Sequence, residues 1–243
     1  MFRNVLTEQA NSTIIKICPP RYSGRMNSRE TPILLKKVHS YLLAKSYDFA
    51  MRNTEKRCLQ QWRSNLLSQA RGNVLEIGAG TGVNLQHYPG HIAQLTLSEP
   101  DPQMRRILQK KNLTTPTIPV HITSWEIETT GMPDSSFDTI VSTLVLCSVP
   151  DLSRSLSEIY RLLRPQGTLL FLEHVASDHP QTLHWQRRVE PFWSLCAGNC
   201  RLTRDTAVAI QTSGLEIERC IEAPMAGTPS FVRRTIRGSA RKA

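Results

Sequence analysis

The sequence predicts an α/β fold built on a doubly wound, mostly parallel sheet of seven strands. Short β-rich runs alternate with helical stretches from residue 72 onwards, which is the pattern of βαβ units. A glycine-rich turn directly follows the first of these runs. The last two runs have no helix between them, which favours an antiparallel strand at one edge of the sheet.

The predicted elements follow from apolar periodicity and from turn-forming residues at their ends. Strands are predicted at residues 74–77, 95–98, 120–123, 139–143, 168–172, 215–221 and 231–236. Helices are predicted at residues 33–50, 55–69, 103–111, 152–163 and 204–213. Gly214 directly follows the last of these helices, and glycine commonly ends a helix in this position.

The chain of 243 residues is divided into four parts by composition. Residues 1–31 lack periodicity, and we expect a disordered or non-native extension, with Met26 as an alternative start. Residues 32–71 are predicted to form a helical lid, residues 72–237 a ligand-binding domain and residues 238–243 a basic tail. The mean hydropathy of −0.30 and the short apolar runs argue against a membrane-spanning helix.

Positive charge is concentrated at the two ends of the chain. Residues 1–60 carry eleven Lys and Arg against four Asp and Glu, whereas residues 72–180 carry seven against eleven. Basic ends suit nucleic acid or anionic lipid, but a solvated terminus is the simpler interpretation. We therefore expect no nucleic-acid partner, at most weak peripheral membrane contact through the basic N-terminal helix, and a monomer.

The cysteines indicate a reducing compartment. Six of them are scattered from Cys18 to Cys220, which is unlike a disulfide framework, so free thiols and a cytoplasmic location are expected; a weak organelle-targeting segment at the N-terminus is the alternative. Cys196 and Cys200 with His184 have metal-like spacing, but a fourth ligand is not evident. No metal is predicted.

The glycine loop is the most informative motif. Gly78, Gly80 and Gly82 directly follow the first predicted strand, and glycine lets a ligand lie against the backbone. The dinucleotide fingerprint requires Gly or Ala where this chain has Val83, and the Gly-Lys-Ser/Thr of a P-loop is absent. The loop therefore suits a ligand whose adjacent group is not a pyrophosphate.

Two acidic residues follow the next predicted strands. Glu99 ends the second strand run, where a carboxylate can accept hydrogen bonds from both hydroxyls of a ribose. Glu126 follows the third run and is a candidate for the exocyclic amine of an adenine. Each acid alone fits a surface position, but the three features in this order favour a nucleoside ligand.

Four segments together resemble the Rossmann-like (class I) methyltransferases that use S-adenosylmethionine: residues 76–82, 97–101, 134–141 and 162–170. The resemblance implies that Glu99 binds the ribose and that Glu126 with Ile127 binds the adenine. It also implies that Glu76 and the glycines hold the methionine part. The cofactor-binding residues so implied are Glu76, Gly78, Ala79, Gly80, Gly82, Asn84, Glu99, Pro100, Glu126, Ile127 and Thr143.

A narrower resemblance extends over residues 46–221. Residues 142–149, 172–175 and 190–193 are similar to segments of the thiol S-methyltransferases, a group with membrane-bound animal members and soluble bacterial relatives. The animal enzymes carry an apolar N-terminal anchor. In its place this chain has only the amphipathic stretch at residues 33–50. The pairs Tyr47-Asp48 and Trp62-Arg63 resemble the quinone C-methyltransferases, which keeps that acceptor class open.

Acceptor residues are expected after the fourth and fifth strands, because ligands bind at the carboxyl ends of parallel strands. His174 is the candidate base, with a structural histidine as the alternative. The remaining acceptor-side candidates are Tyr47, Cys147, Glu173, Trp185 and Trp193.

The predicted function is methyl transfer to a small, rather apolar acceptor. A thiol is the first choice, because a thiol of pKa about 8.5 ionises with little help and needs no dedicated base. A quinone or lipid acceptor is the second. A non-catalytic cofactor-binding protein and an RNA methyltransferase are the further alternatives.

Overall fold

The computed structural model describes residues 33–112 and 118–243, so the expectation for residues 1–31 lies outside the described residues. The strands are β1 (Asn73–Ile77), β2 (Gln94–Ser98), β3 (Val120–Thr123), β4 (Phe137–Thr143), β5 (Leu163–His174), β6 (Leu215–Pro224) and β7 (Arg234–Lys242). The helices are α1 (Ile33–Thr54), α2 (Gln60–Leu67), α3 (Pro102–Asn112), α4 (Leu152–Leu162), α5 (Pro180–Cys196) and α6 (Thr206–Thr212).

The seven strands form one sheet in the order β3-β2-β1-β4-β5-β7-β6. The first five strands in this order, β3, β2, β1, β4 and β5, are mutually parallel, whereas β7 runs antiparallel to both β5 and β6. The predicted fold class is confirmed. The order reverses between β1 and β4, and the carboxyl ends of these two strands meet at that switch point, where open α/β sheets bind their ligands.

Strand alternation divides the core into two layers, one on each face of the sheet. Leu75 and Ile77 pack on one face in a cluster with Phe171 and with Ile159 of α4. Val74 points to the opposite face, in a cluster that includes Leu59 and Leu67. Helices therefore cover both faces, which is why these strands are apolar on both sides.

The end of the chain differs from its prediction. The last strand was expected at residues 231–236, with a basic tail at 238–243, but residues 230–232 form a 3₁₀ turn and β7 extends to Lys242. Small buried residues at 238–240 let β7 lie between β5 and β6. The long basic side chains reach partners around the edge: Lys242 Nζ donates to Leu163 O at 2.8 Å, and Arg241 pairs with Glu218.

The N-terminal helices also differ in detail from the prediction. One wide helical turn, Glu55–Leu59, joins α1 to α2, so the two predicted helices are continuous. Residues 180–196, where no helix was predicted, form α5, which begins at Pro180 and contains Pro191. In the ranges that the structure describes, none of the helices has the length and apolar character needed to cross a membrane.

Asp138 joins the start of β1 to the start of β4 and is expected to be a stabilising residue. Its carboxylate accepts a hydrogen bond from Asn73 N at 2.7 Å and from Arg164 Nη1 at 2.7 Å. Asp138→Ala removes these charge-assisted bonds, so we expect the free energy of unfolding, measured in urea, to fall by about 1.5–3 kcal/mol. Asp134→Ala is the control, because Asp134 is exposed beside Arg161, and its loss costs at most about 1 kcal/mol. Equal losses in the two variants would contradict the assignment.

Candidate functional site

The glycine loop leaves β1 at the switch point with three residues in left-handed conformation. Gly78, Gly80 and Gly82 have φ of 57°, 58° and 80°, a region that favours glycine. A Cβ on Gly78 would lie 2.6 Å from Val145, and one on Gly82 would lie 2.7 Å from Leu108. A Cβ on Gly80 would meet only the Gly78 carbonyl at 3.9 Å. The outer glycines thus close the turn, while Gly80 presents an open face of backbone.

Glu99 lies beside this open face. Its carboxylate accepts hydrogen bonds from Gly80 N at 2.7 Å and from Asp101 N at 2.8 Å, which orients both oxygens. Burial is the largest influence on its pKa and raises it, while the two backbone N–H groups oppose the rise. Pro100 follows on the surface, and Arg105 Nη1 donates to its carbonyl at 3.0 Å.

The turn after β3 adjoins Glu99. Glu99 N donates to Thr123 O at 3.1 Å, and Ser98 Oγ donates to Trp125 O at 2.6 Å. Ile127 is buried in the core, whereas Glu126 is exposed just before it. The structure therefore brings the predicted ribose-binding and adenine-binding residues to neighbouring strand ends.

A buried polar network lies below the loop. Asn84 Nδ2 donates to Glu76 Oε1 at 2.8 Å and to Thr143 Oγ1 at 3.0 Å. Tyr88 OH donates to the other oxygen of Glu76 at 2.7 Å. Glu76, Asn84 and Thr143 were predicted together, and the structure joins them directly.

Arg63 completes this network and was not among the predicted site residues. Only 2% of it is exposed, and its Nη1 donates to Asn84 Oδ1 and to Thr143 Oγ1, both at 2.9 Å. Its Nε donates to Glu55 at 3.1 Å. The Trp62-Arg63 pair had suggested only an acceptor class, whereas the structure shows that α2 delivers a positive charge to the ends of β1 and β4.

Glu76 is poised to change its charge near neutral pH. Burial raises its pKa to about 7, while hydrogen bonds from Tyr88 and Asn84 and the charge of Arg63 oppose the rise. A positively charged ligand group beside Glu76 favours the carboxylate form. Binding of such a ligand is therefore expected to release a proton.

Helix α1 covers the glycine loop through its polar side chains. Thr81 Oγ1 donates to Asp48 Oδ1 at 2.5 Å, and Ser40 Oγ donates to Asp101 Oδ2 at 2.5 Å. Tyr47 is half-buried beside Arg63, and burial, its largest influence, raises its pKa to about 12. Its hydroxyl therefore stays protonated at neutral pH. These contacts give the helix the position that a lid requires.

The loop after β4 is held by Glu173. Ser142 Oγ donates to Glu173 Oε1 at 2.6 Å, and the backbone N–H groups of Val145 and Cys147 donate to the two oxygens at 3.2 Å. Glu173 is fully buried. Burial raises its pKa, while the hydrogen bonds that it accepts oppose the rise. These bonds fix the backbone of residues 145–147 beside the carboxyl end of β4, where an acceptor is expected.

His174 lies at the end of β5 beside Cys200. It is buried, and burial lowers its pKa to about 4, so the imidazole is neutral at pH 7. Its Nδ1 lies 3.8 Å from Cys200 Sγ, and its Nε2 has no hydrogen-bond partner. Cys147 is buried nearby, in a group that also includes Trp193. A proton accepted here is held weakly, which limits His174 to acceptors that ionise readily.

The two predicted tryptophans have different environments on α5. Trp193 is half-buried and packs edge-on against Phe231, with ring centroids 5.5 Å apart. Trp185 is 58% exposed, and its acceptor role stays a prediction. Gln186 anchors the helix between them by donating to Phe231 O at 2.9 Å.

The residues present fit S-adenosylmethionine, the cofactor that the resemblance implies. The open face at Gly80 accommodates a ligand against backbone, and a Cβ there would occupy that space. Glu99 lies beside this face and, with the segment at Glu126, could bind a nucleoside. Glu76, which lies in β1 just before the loop and bonds to Asn84, could bind a positively charged methionine part.

A sheet whose seventh strand is reversed, with an acid-paired glycine loop at its switch point, defines the Rossmann-like methyltransferase class. Sequence comparison agrees: a family profile described as "Methyltransferase domain" matches residues 51–218, and the chain belongs to this family. The protein is an S-adenosylmethionine-dependent methyltransferase, as its resemblance to class I enzymes predicted.

Three comparisons illustrate the relationship. The chain is 34% identical over 168 residues to thiol S-methyltransferase TMT1B of Rattus norvegicus, covering 68% of each chain. It is 32% identical over 200 residues to TMT1B of Homo sapiens, covering 76% of this chain and 80% of that relative. The crystal structure of N-methyltransferase NodS from Bradyrhizobium japonicum WM9 with S-adenosyl-L-homocysteine has a TM-score of 0.57 at 21% identity, covering 77% and 86%. That structure supports the fold alone.

We expect cofactor affinity to rise with pH until Glu76 is ionised. Below pH 7, protonation of Glu76 competes with the positively charged methionine part, so affinity falls by up to about tenfold per pH unit. Isothermal titration calorimetry from pH 5.5 to 7.5 measures this slope. The matched Glu76→Gln variant is expected to bind more weakly and to show a flat profile, and a flat wild-type profile would contradict the prediction.

Gly80 and Gly82 are expected to respond differently to alanine. Both substitutions strain a left-handed backbone by about 1–2 kcal/mol. Gly82→Ala also places a methyl group against Leu108, so it should lower the melting temperature more. Gly80→Ala should instead keep most of its stability and lose cofactor affinity, because the added methyl faces the open side. Calorimetry and thermal unfolding separate the two, and similar profiles in both variants would contradict the assigned roles.

Proposed function

We propose that this methyltransferase transfers its methyl group to the sulfur of a small, rather apolar thiol. The observation that carries the proposal is the environment of His174, a buried and weakly basic imidazole among sulfur and aromatic side chains. Such a site suits an acceptor that supplies its own anion, as a thiol does. The similarity to thiol S-methyltransferases supports the same acceptor class.

The cofactor supplies, when bound, a methyl group on a positively charged sulfur. Glu99 would orient its ribose, and the network around Glu76 and Arg63 would hold the methionine part. Alignment of this kind contributes about 7–11 kcal/mol to many two-reactant steps. The chain's remaining task is to exclude water, which α1 would do from its position over the loop.

A thiolate and a sulfonium lose their charges as they react, so a dry pocket favours the transfer. The acceptor end has this character. Cys147 is buried, and Trp193 packs against Phe231 at its border. A nearby positive sulfur also lowers the pKa of the acceptor thiol, so the pocket needs no strong base.

A quinone or lipid acceptor is the second candidate. Helices α1 and α5 expose large apolar side chains, of which Phe49 is 78%, Phe192 75% and Leu195 68% exposed. Exposed apolar patches commonly mark interaction surfaces, and lipid-like acceptors reside in membranes. An acceptor of this class would reach the site from the apolar surface.

Release of S-adenosylhomocysteine by purified protein with S-adenosylmethionine and a simple alkyl thiol tests the proposal. We expect release that depends on the thiol and that Glu99→Ala abolishes. Two comparison reactions use a short-chain quinol and a phenol. No thiol-dependent release from protein that binds the cofactor, together with turnover of the quinol, would favour the second candidate.

The pH profile distinguishes a self-ionising acceptor from one that needs a protein base. For a series of thiols with different pKa values, we expect the break in log kcat/KM to follow the thiol. His174→Asn should lower the thiol rate by less than about tenfold, since removal of a true general base costs about 10²–10⁴. A break that stays constant across the series, or a larger loss in the variant, would contradict the proposed chemistry.

A further inference from the structure

Two cysteines from distant parts of the chain meet at the acceptor end of the site. Cys147 follows β4 and is 2% exposed, and Cys200 follows α5 and is half-buried. The Cys200 thiol raises the pKa of Cys147, and the Cys147 thiol lowers the pKa of Cys200. Cys200 Sγ also contacts His174 Nδ1 at 3.8 Å. Neither thiol is needed as a proton acceptor in the proposed methyl transfer.

The backbone fixes this meeting of the two segments. Arg201 N donates to Cys147 O at 2.8 Å, which joins the residue after Cys200 directly to Cys147. Arg204 Nη1 donates to Leu146 O at 2.6 Å and Nη2 to Val149 O at 2.5 Å. Three hydrogen bonds therefore hold the segment 146–149 against 201–204.

The turn before Cys200 returns the chain sharply toward β4. Gly198 and Asn199 have φ of 59° and 65°, two consecutive residues in left-handed conformation. Cys200 N donates to Ala197 O at 3.1 Å, which closes the turn. Cys196 is the last residue of α5, is exposed and precedes the turn.

We propose that Cys147 and Cys200 are a redox-sensitive thiol pair that forms a reversible disulfide at the acceptor end of the site. The oxidant is a peroxide, and hydrogen peroxide is the simplest member of that class. The inference concerns a modification of the chain, so formation of the bond does not depend on which acceptor is methylated.

Cys200 reacts first because it is the more exposed thiol and because the Cys147 thiol lowers its pKa. Its thiolate attacks one peroxide oxygen, the O–O bond breaks, and Cys200 becomes a sulfenic acid with release of one water. The Cys147 sulfur then attacks the Cys200 sulfur and forms the S–S bond. The Cys147 proton leaves with the sulfenic oxygen as a second water, and peroxide is the two-electron acceptor.

The disulfide is expected to reduce methyl transfer. An S–S bond of about 2.05 Å draws the two segments together, and Glu173 holds Cys147 N at 3.2 Å from the other side. Closure of the bond is therefore expected to pull the loop after β4 toward the turn at Cys200. This loop also continues from Thr143 of the cofactor network, so both ends of the site are affected.

Peptide mapping by mass spectrometry tests the bond itself. The full chain is reduced with a phosphine, because a thiol reductant would serve as an acceptor. The phosphine is removed, because it would consume the oxidant, and the protein is then treated with stoichiometric hydrogen peroxide and alkylated. We expect a Cys147–Cys200 cross-linked peptide that the phosphine reverses. In Cys147→Ser, a dimedone adduct is expected on Cys200, and in Cys200→Ser none is expected on Cys147. Absence of the cross-link, or a Cys196–Cys200 link in its place, would overturn the proposal.

Activity gives the second measurement, after catalase has removed the peroxide. Oxidised wild type should lose at least tenfold of its initial rate on whichever acceptor it turns over and regain it with phosphine. After peroxide treatment, Cys200→Ser should keep the rate that the same variant shows without treatment. Cys196→Ser, the matched control, should lose activity on treatment as the wild type does. Equal sensitivity of Cys200→Ser and wild type would overturn the proposed link to activity. If the protein turns over no thiol, the proposed thiol acceptor is refuted. The disulfide proposal is unaffected, since the peptide map needs no acceptor.

Discussion

The hydrogen bonds of the buried Arg63 guanidinium are the interactions on which the site depends. A guanidinium that is 2% exposed requires partners, because an unpaired buried charge costs several kcal/mol. Its partners come from the helical turn at Glu55, from Asn84 and from Thr143 at the end of β4. The N-terminal helices and the sheet are therefore joined through the same group whose positive charge favours the ionised form of Glu76. Displacement of α2 would separate the guanidinium from Asn84 and Thr143 and leave the polar groups at the end of β4 without this partner.

Much of the cofactor side could be predicted from sequence because its residues are tied to strand ends. Glycines 78, 80 and 82 and Glu99 lie at fixed offsets from β1 and β2, and parallel pairing brings those ends together. Arg63 was missed as a site residue because it comes from a helix whose approach to the sheet is a long-range feature. Its burial depends on packing that no local pattern of charges reveals.

The remaining differences have a similar origin. A short basic segment is typical of a solvated tail, yet residues 238–242 complete β7 because two neighbouring strands supply hydrogen bonds to both sides. His174 was a reasonable candidate base by its intrinsic pKa, but burial without a charged partner lowers that pKa to about 4. The acceptor side thus depends on desolvation, which follows from the tertiary fold and which residue types alone do not determine.

The insertion of β7 between β5 and β6 also has a consequence for biosynthesis. Strand β6 reaches the sheet only through β7, although β6 is made first. While the chain emerges from the ribosome, the edge of β5 stays open and β6 has no partner until the segment up to Lys242 is free. Assembly of this half of the sheet therefore waits until β7 is available, and the nascent chain exposes an unpaired strand edge that invites association with other chains until that moment.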